Sequence, residues 1–274
     1  MPHHTRMNRR RFVASTSALL AATQLPSLQG QPATDKARLA LHGGERTVKT
    51  QLPKWVRWGE EEGKQLASVI SQNSLFYWKG PQTALLTKRF QEIYPFKYVM
   101  PCSSGTAALH IAVAAAGIKP GDEIITAPIT DLGTVIGAIF QLAVPVFADL
   151  EPRTYNLDPA DVERRITPKT RAVIAVHLAG NPCRLKELKA ICEKHHLILI
   201  EDSAQAWGAK YQGQPIGTVG DITCFSLQQS KHVTTGDGGI VASNHEKIGP
   251  LLQLFGDKGF DRLNPGAPTE FFGT

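Results

Sequence analysis

The stretch "AVIAVHLAGNPCRLKELKAICEKHHLILIED" (residues 172–202) indicates the architecture of this chain most clearly. It begins and ends with a short run rich in Ile, Val and Leu, and such runs are typical of buried β-strands. Between them, residues 184–196 place apolar side chains at the spacing of an amphipathic helix. Two buried strands joined by a helix form a βαβ unit, in which the strands run parallel.

The alternation of strands and helices continues on both sides of this unit. We predict further strands at residues 123–128, 144–149, 222–226 and 239–243, and further helices at residues 104–117, 134–143, 158–166 and 245–254. Near-continuous apolar strands indicate burial on both faces of a sheet, so the sequence predicts an α/β fold with a mostly parallel sheet and helices on both faces. The last two strands are joined by too little chain for a crossover helix, which favours an antiparallel or distant pairing.

Three regions are predicted along the chain. Residues 1–30 form a leader, residues 31–97 an N-terminal arm with helices near 60–72 and 82–94, and residues 98–274 the α/β domain. No internal repeat is found.

The leader has a basic start followed by a weakly apolar stretch, a pattern typical of an export signal. It resembles a twin-arginine leader, with Arg9 and Arg10 as the pair and Phe12 in the usual apolar place. The apolar stretch is too short and polar for a membrane-spanning helix. We therefore expect export to the periplasm; the alternative is a disordered basic tail on a cytoplasmic protein.

Composition narrows the class of protein. The chain has 274 residues, 42% of them hydrophobic and 20% charged, which is typical of a globular protein with one large or two modest domains. The formal net charge is +6, but the leader holds four arginines and no acid, so the rest carries only 6 − 4 = +2. This distribution argues against a nucleic-acid-binding protein. The four cysteines contain no C-x-x-C pair, so neither a zinc site nor a disulfide framework is predicted.

The first candidate functional segment is "CSSGTAAL" (102–109). Ser103, Ser104, Gly105 and Thr106 open an Ala-rich helix, so free backbone N–H groups, hydroxyls and the positive end of the helix dipole converge there. Such a point is suited to binding a phosphate. An ordinary helix cap is the alternative.

The second candidate is "IEDSAQAWGA" (200–209), in which a buried strand delivers Glu201 and Asp202 at its end. A carboxylate in a half-buried crevice needs a positive partner. That partner could be the protonated ring nitrogen of a cofactor or a metal ion. A structural Asp202 that caps the next turn is a third interpretation.

The third candidate is "FSLQQSKHVTTGDGG" (225–239), in which Ser226 ends a strand and Lys231 follows in a tight, glycine-rich loop. A lysine that loses solvent there becomes a nucleophile toward a carbonyl, whereas an exposed loop lysine is the alternative. Taken together, a phosphate site, an anion for a pyridinium and an amine for an aldehyde are what pyridoxal phosphate (PLP) requires.

These motifs, together with "GPQT", "GDEIIT" and "VHLAGNP", resemble those of the DegT-type (DegT/StrS) sugar aminotransferases. The resemblance extends from about residue 41 to the end of the chain. It implies the fold type I PLP-transferase domain, PLP as cofactor, and transfer of an amino group from glutamate or glutamine to a keto-sugar, usually nucleotide-linked. It also implies a homodimer.

The resemblance also implies roles for individual residues. Lys231 resembles the lysine that carries the cofactor as a Schiff base, and Asp202 resembles the partner of the pyridine nitrogen. The other positions carried over are Ser104, Gly105, Thr106 and Ser226 at the phosphate, Gln205 beside the ring oxygen, and His177 near the ring.

The chain departs from the family pattern at two places. Where the family has an aromatic residue stacked on the cofactor ring, "APITDLGTV" (127–135) offers Asp131. The family also continues into a C-terminal region that begins with an Asn-Tyr-Arg-type segment, so we expect a C-terminally truncated member. A catalytically impaired PLP-binding or regulatory protein and a PLP-dependent sugar dehydratase are the alternatives. Dehydratases of the family replace the lysine with histidine, so Lys231 favours transamination.

Overall fold

The computed structural model describes residues 38–51, 56–72, 75–262 and 264–266. The predicted leader lies outside the described residues. The chain divides into two units between Lys64 and Gln65. Among the described residues, no helix combines the length and apolarity needed to cross a membrane.

The second unit is built on a seven-stranded sheet with the order β1-β9-β8-β5-β4-β2-β3. The strands are β1 (Tyr98–Cys102), β2 (Glu123–Thr126), β3 (Val144–Phe147), β4 (Thr170–Val176), β5 (Ile198–Asp202), β8 (Ile222–Ser226) and β9 (Gly239–Ser243), with β6 (Lys210–Tyr211) and β7 (Gln214–Pro215) in a separate hairpin. Strand β9 pairs antiparallel with both β1 and β8, while the other neighbouring strands pair in parallel. The mostly parallel sheet and the antiparallel final pairing are thus confirmed.

Helices lie between most of the strands. They are α1 (Glu60–Ile70), α2 (Pro81–Ile93), α3 (Gly105–Ala115), α4 (Gly133–Phe140), α5 (Pro159–Arg165), α6 (Leu185–Lys194) and α7 (Gly249–Gly256). The order of the strands requires the crossovers through α3 and α4 to run in one direction along the sheet and those through α5 and α6 to run in the other. Because parallel crossovers are right-handed, this topology places the two pairs of helices on opposite faces.

An aromatic cluster joins helix α2 to the sheet. Phe90 and Tyr94 are buried, and the ring of Tyr94 lies 4.9 Å from that of Phe225 in β8. The Tyr94 hydroxyl accepts a hydrogen bond from the Gly208 amide (2.9 Å), and the indole N–H of Trp207 donates to the Ser226 carbonyl (2.8 Å). Helix α2 thus supplies part of the core of the unit that contains the sheet, and this unit spans the chain from Gln65 onward.

The topology brings distant loops to one edge of the sheet. The segments that follow β1, β2, β5 and β8 all leave from carboxyl ends of parallel strands, and β9 begins at the same edge. In open α/β sheets this edge is where ligands bind.

Candidate active site

A cavity of about 350 Å³ lies at this edge. The residues that line it include most of the candidates from the three predicted segments, namely Ser104, Gly105, Thr106, Asp202, Gln205, Ser226 and Lys231. His177 is not among the lining residues. The fold therefore gathers the proposed amine, carboxylate and phosphate site around one space, although they are far apart in the sequence.

The start of helix α3 forms one wall. The Ser104 hydroxyl caps the helix by accepting from the Ala107 amide (3.0 Å). Among the described residues, the amides of Gly105 and Thr106 have no hydrogen-bond partner. A Cβ atom at Gly105 would lie 2.7 Å from the Ser226 Cβ, closer than real contacts allow. Only glycine lets this helix terminus approach β8 so closely, and two free amides at a helix N-terminus are suited to an anion.

Asp202 projects from the end of β5 and is 5% exposed. Its Oδ2 accepts from the Thr134 hydroxyl (2.8 Å) and its Oδ1 from the Ala204 amide (3.2 Å). Burial raises the pKa of the Asp202 carboxyl above its ordinary value, while the Thr134 and Ala204 hydrogen bonds act in the opposite direction. A cation placed against this carboxylate would relieve the cost of its burial.

Glu201, the neighbour of Asp202, points to the opposite face and has a different environment. Its carboxylate is fully buried and accepts from the amides of Gly217 (2.8 Å), Val219 (2.9 Å) and Gly220 (2.5 Å). It also lies 3.0 Å from Nε2 of His177. Glu201 therefore ties β5 to the loop before β8, and its role is structural.

His177 is fully buried, and both of its ring nitrogens are occupied. Its Nδ1 accepts from the Cys183 amide (3.2 Å), so the hydrogen bonds assign the proton to Nε2, which donates to Glu201. The His177 amide donates to the Asp202 carbonyl (3.2 Å). His177 does not line the cavity, and Glu201 and the Cys183 amide hold its ring; its place beside a bound cofactor stays a prediction.

We expect Glu201→Gln to lower the free energy of unfolding by about 2–3 kcal/mol. Both oxygens of the Glu201 carboxylate accept from backbone N–H groups, and in glutamine one of them is replaced by an NH₂ group that cannot accept. Urea titration followed by circular dichroism measures the change. The matched control is Glu246→Gln, whose ion pair with Lys97 is exposed and whose loss should leave stability unchanged. Equal stability of the wild type and Glu201→Gln would contradict the structural role.

Lys231 lies in the loop between β8 and β9 and is half-buried. The loop is tightened by hydrogen bonds from the Lys231 amide to the Gln228 carbonyl (2.9 Å) and from the Thr235 amide to the Leu227 carbonyl (3.0 Å). The cavity beside this lysine is lined mostly by polar residues, so hydrogen-bonding groups rather than apolar side chains lie near the amine.

Several of the residues that line the cavity lie outside the predicted candidates. They are Leu109, Thr130, Gly133, Thr134, Ala204, Gln228, Ser230 and Asp237. Of these, only Thr134 could have been recognised from the sequence, because it is a lone hydroxyl residue among the apolar residues of α4. Asp131 also lines the cavity, and its Oδ1 accepts from the Gly133 amide (2.7 Å). Gln205 lines it too, with its Oε1 bound to the Ala179 amide (2.8 Å).

The chain is similar to solved structures of aminotransferases. The chain matches the structure of the aminotransferase from Psychrobacter cryohalolentis with a TM-score of 0.71 and 34% identity, over 74% of this chain and 52% of that one. The chain belongs to the DegT/DnrJ/EryC1/StrS aminotransferase family, whose model matches residues 57–272. The resemblance noted in the sequence is thereby confirmed.

Curated relatives of the chain include a synthase and an aminotransferase. GDP-perosamine synthase of Caulobacter vibrioides is 38% identical over 64% of this chain and 47% of its own length. L-glutamine:2-deoxy-scyllo-inosose aminotransferase of Streptomyces kanamyceticus is 43% identical over 56% of this chain and 36% of its own length. The chain spans about half the length of the curated relatives that it matches.

The cavity fits PLP, the cofactor that the family indicates. The free amides of Gly105 and Thr106 are placed to hold its phosphate. The buried carboxylate of Asp202 would be stabilised by the positive charge of its ring nitrogen, and Lys231 would supply the amine. The three groups line one space, so a single small molecule satisfies all of them.

Proposed function

We propose that this chain is a PLP-dependent aminotransferase that moves an amino group from glutamate or glutamine to a keto-sugar. The observation that carries the proposal is the convergence of Lys231, Asp202 and the free end of α3 on one cavity. Family membership supports the reaction class.

Each of these residues has a distinct part in the proposed reaction. The cofactor, when bound, supplies an aldehyde and an electron-withdrawing ring. The amides of Gly105 and Thr106, with the Ser104 and Ser226 hydroxyls, would hold the phosphate and so fix the position of the ring. Asp202 would keep a proton on the ring nitrogen through its negative charge. Lys231 would hold the group through its amine, and its Nζ would move a proton to and from the substrate carbon.

The names of the relatives support the proposed substrates. One relative is named for a glutamine donor and another as the synthase of a GDP-linked amino sugar. We accordingly propose glutamine or glutamate as the donor and a nucleotide-linked keto-sugar as the acceptor. Homodimerisation and export by the twin-arginine route are further parts of the proposal, the latter on the composition of residues 1–30.

Titrating the purified chain with PLP and then with amino donors tests this function. We expect a visible absorption band on addition of PLP, and its loss on addition of L-glutamine or L-glutamate. The D-enantiomers are the matched control and should leave the band intact.

The outcome separates the proposal from its alternatives. A band that no amino donor changes would overturn the aminotransferase and favour a cofactor-binding regulator, for which Asp131 at the cavity wall is the supporting observation. A sugar product that loses a hydroxyl without gaining nitrogen would favour the dehydratase.

A further inference from the structure

Two threonine hydroxyls connect the wall of the cavity to the buried carboxylate of Asp202. The hydroxyl oxygens of Thr130 and Thr134 lie 2.6 Å apart, and the Thr134 hydroxyl lies 2.8 Å from Oδ2 of Asp202. Both threonines line the cavity, and Thr134 is only 1% exposed. The three side chains therefore form a continuous chain of hydrogen bonds between the loop before α4 and the end of β5.

The chemistry of the groups fixes the direction of both hydrogen bonds. An ionised carboxylate can only accept, so Thr134 donates its single hydroxyl proton to Asp202. Thr134 then has no proton left for its neighbour, and Thr130 must donate to it. A hydroxyl that accepts one hydrogen bond becomes a stronger donor in the next, because hydrogen bonds in a chain polarise one another. The arrangement thus favours the charged form of Asp202.

The backbone of residues 130–134 holds these hydroxyls in place. The Thr134 amide donates to the Asp131 carbonyl (3.0 Å), and Oδ1 of Asp131 accepts from the Gly133 amide (2.7 Å). A Cβ atom at Gly133 would lie 2.6 Å from the Thr106 hydroxyl oxygen, so only glycine lets this turn lie against the start of α3. The position of Thr134 is therefore fixed by the same contacts that close one side of the cavity.

The burial of Asp202 gives these donors their importance. Burial raises the pKa of its carboxyl, and the hydrogen bond from Thr134 is the largest contribution in the opposite direction. The other ionisable groups around it are His177, Lys231, Cys183 and Cys224, with Asp131 and Asp237 along the cavity wall. Within the described part of the chain, only Thr134 and the Ala204 amide donate hydrogen bonds to the carboxylate. Thr134 is therefore the one side chain there that acts on it through a hydrogen bond.

We propose that Thr130 and Thr134 form a hydroxyl relay that positions the Asp202 carboxylate and holds it in its ionised form. Thr134 is in this sense a positioning residue, because it acts on a bound cofactor through Asp202. The inference rests on the proposed function in one respect, namely that the charge of Asp202 serves to bind the ring nitrogen of PLP. The relay itself is a property of the protein without cofactor.

The titration of Asp202 in the cofactor-free protein tests the relay. It can be followed by ¹³C NMR of protein labelled at the aspartate Cγ, with the signal of Asp202 identified by its loss in Asp202→Asn. Valine has the shape of threonine without the hydroxyl, so Thr134→Val should raise the titration midpoint by about one pH unit or more. Thr134→Ser keeps the hydroxyl and should restore the wild-type midpoint. Thr130→Val should raise the midpoint by less, because it weakens the donor without removing it.

Thr126→Val is the matched control for these variants. Thr126 is also 1% exposed, but its hydroxyl donates to the Ile174 carbonyl (3.1 Å) rather than to Asp202, so its replacement should leave the midpoint unchanged. An unchanged or lower midpoint in Thr134→Val would overturn the proposal, as would a Thr134→Ser variant that shifts as far as Thr134→Val. If Thr134→Val does not fold, Thr130→Val decides the question, and an unchanged midpoint in that variant would overturn the relay.

Titration with PLP extends the test to the proposed function. Only the ionised fraction of Asp202 can pair with a cation, so the apparent affinity falls in proportion to that fraction. We expect Thr134→Val to bind PLP up to about tenfold more weakly than the wild type at pH values below both midpoints, and equally well above both. A raised midpoint with wild-type affinity at every pH would support the relay but refute the role of Asp202 in binding PLP. A wild type that gives no visible band with PLP would refute the proposed function alone.

Discussion

The Lys231→Ala variant will give no visible absorption band with PLP, and its rate of amino transfer will fall by about 10³-fold or more. Lys231 is the only lysine among the described residues that line the cavity, so no other amine is placed to bind the aldehyde. Loss of its Nζ removes both the covalent attachment and the group that carries the proton. Absorbance titration and a single-turnover assay measure the two effects.

The adjacent His232 provides the control for this variant. It is exposed in the same loop and is not among the residues that line the cavity, so His232→Ala should retain the band and most of the rate. The Lys231→Ala protein should still bind the phosphate of the amine form of the cofactor, because the α3 terminus is unchanged. A visible band that survives in Lys231→Ala would reject the assignment of this lysine.

The Asp202→Asn variant should have opposite effects on cofactor affinity and on the stability of the cofactor-free protein. Burial raises the pKa of this carboxyl, so the folded state binds a proton more readily than the unfolded state. The free energy of unfolding therefore falls as pH rises from about 3.8 through the folded-state pKa, and the ionised carboxylate destabilises the empty protein at neutral pH. Asparagine removes that charge and keeps two hydrogen bonds. Its Oδ1 can accept from the Ala204 amide, and its Nδ2 can donate to the Thr134 hydroxyl.

Thermal unfolding at pH 7 without cofactor and titration with PLP measure these two effects. We expect a higher Tm for Asp202→Asn and an affinity for PLP reduced by about 10- to 100-fold, as expected for the loss of one buried ionic partner. Asp237→Asn is the control, because Asp237 lines the same cavity but is exposed. It should change neither quantity appreciably. A lower Tm together with an unchanged affinity for PLP would contradict the view that Asp202 is a buried carboxylate that a bound cation stabilises.

The strands could be predicted from the sequence wherever burial on both faces produced an unbroken apolar run. Strand β1 was not predicted as a strand, because Pro101 interrupts its sequence and its pairing partner, β9, lies far along the chain. The packing of α2 against the sheet could not be predicted for a related reason. The burial of Phe90 and Tyr94 depends on Phe225, and no local pattern reveals such a contact.

The part of the candidate site that depends on residue type alone could be predicted from the sequence. Lysine, aspartate and a polar helix start indicated a cofactor before any geometry was known. The direction of a side chain was harder to predict. His177 was placed near the ring, but its orientation depends on Glu201, and the partners of Glu201 in residues 217–220 are supplied by a loop that is distant in sequence. Thr134 was not predicted because its hydrogen bond to Asp202 joins helix α4 to strand β5, which are far apart in the sequence.

The reversed strand β9 has a consequence for the order in which the sheet can be completed. Gly239 pairs with Cys102 on one side and Ser226 on the other, and a Cβ atom there would lie 2.2 Å from the Ser104 carbonyl. Of the seven strands of the sheet, the ribosome makes β9 last, yet it is the wedge between the first strand made and the one that precedes the lysine loop. A nascent chain that ends before residue 239 lacks the strand that hydrogen-bonds to both β1 and β8, so these two strands can be joined in one sheet only after β9 has been made.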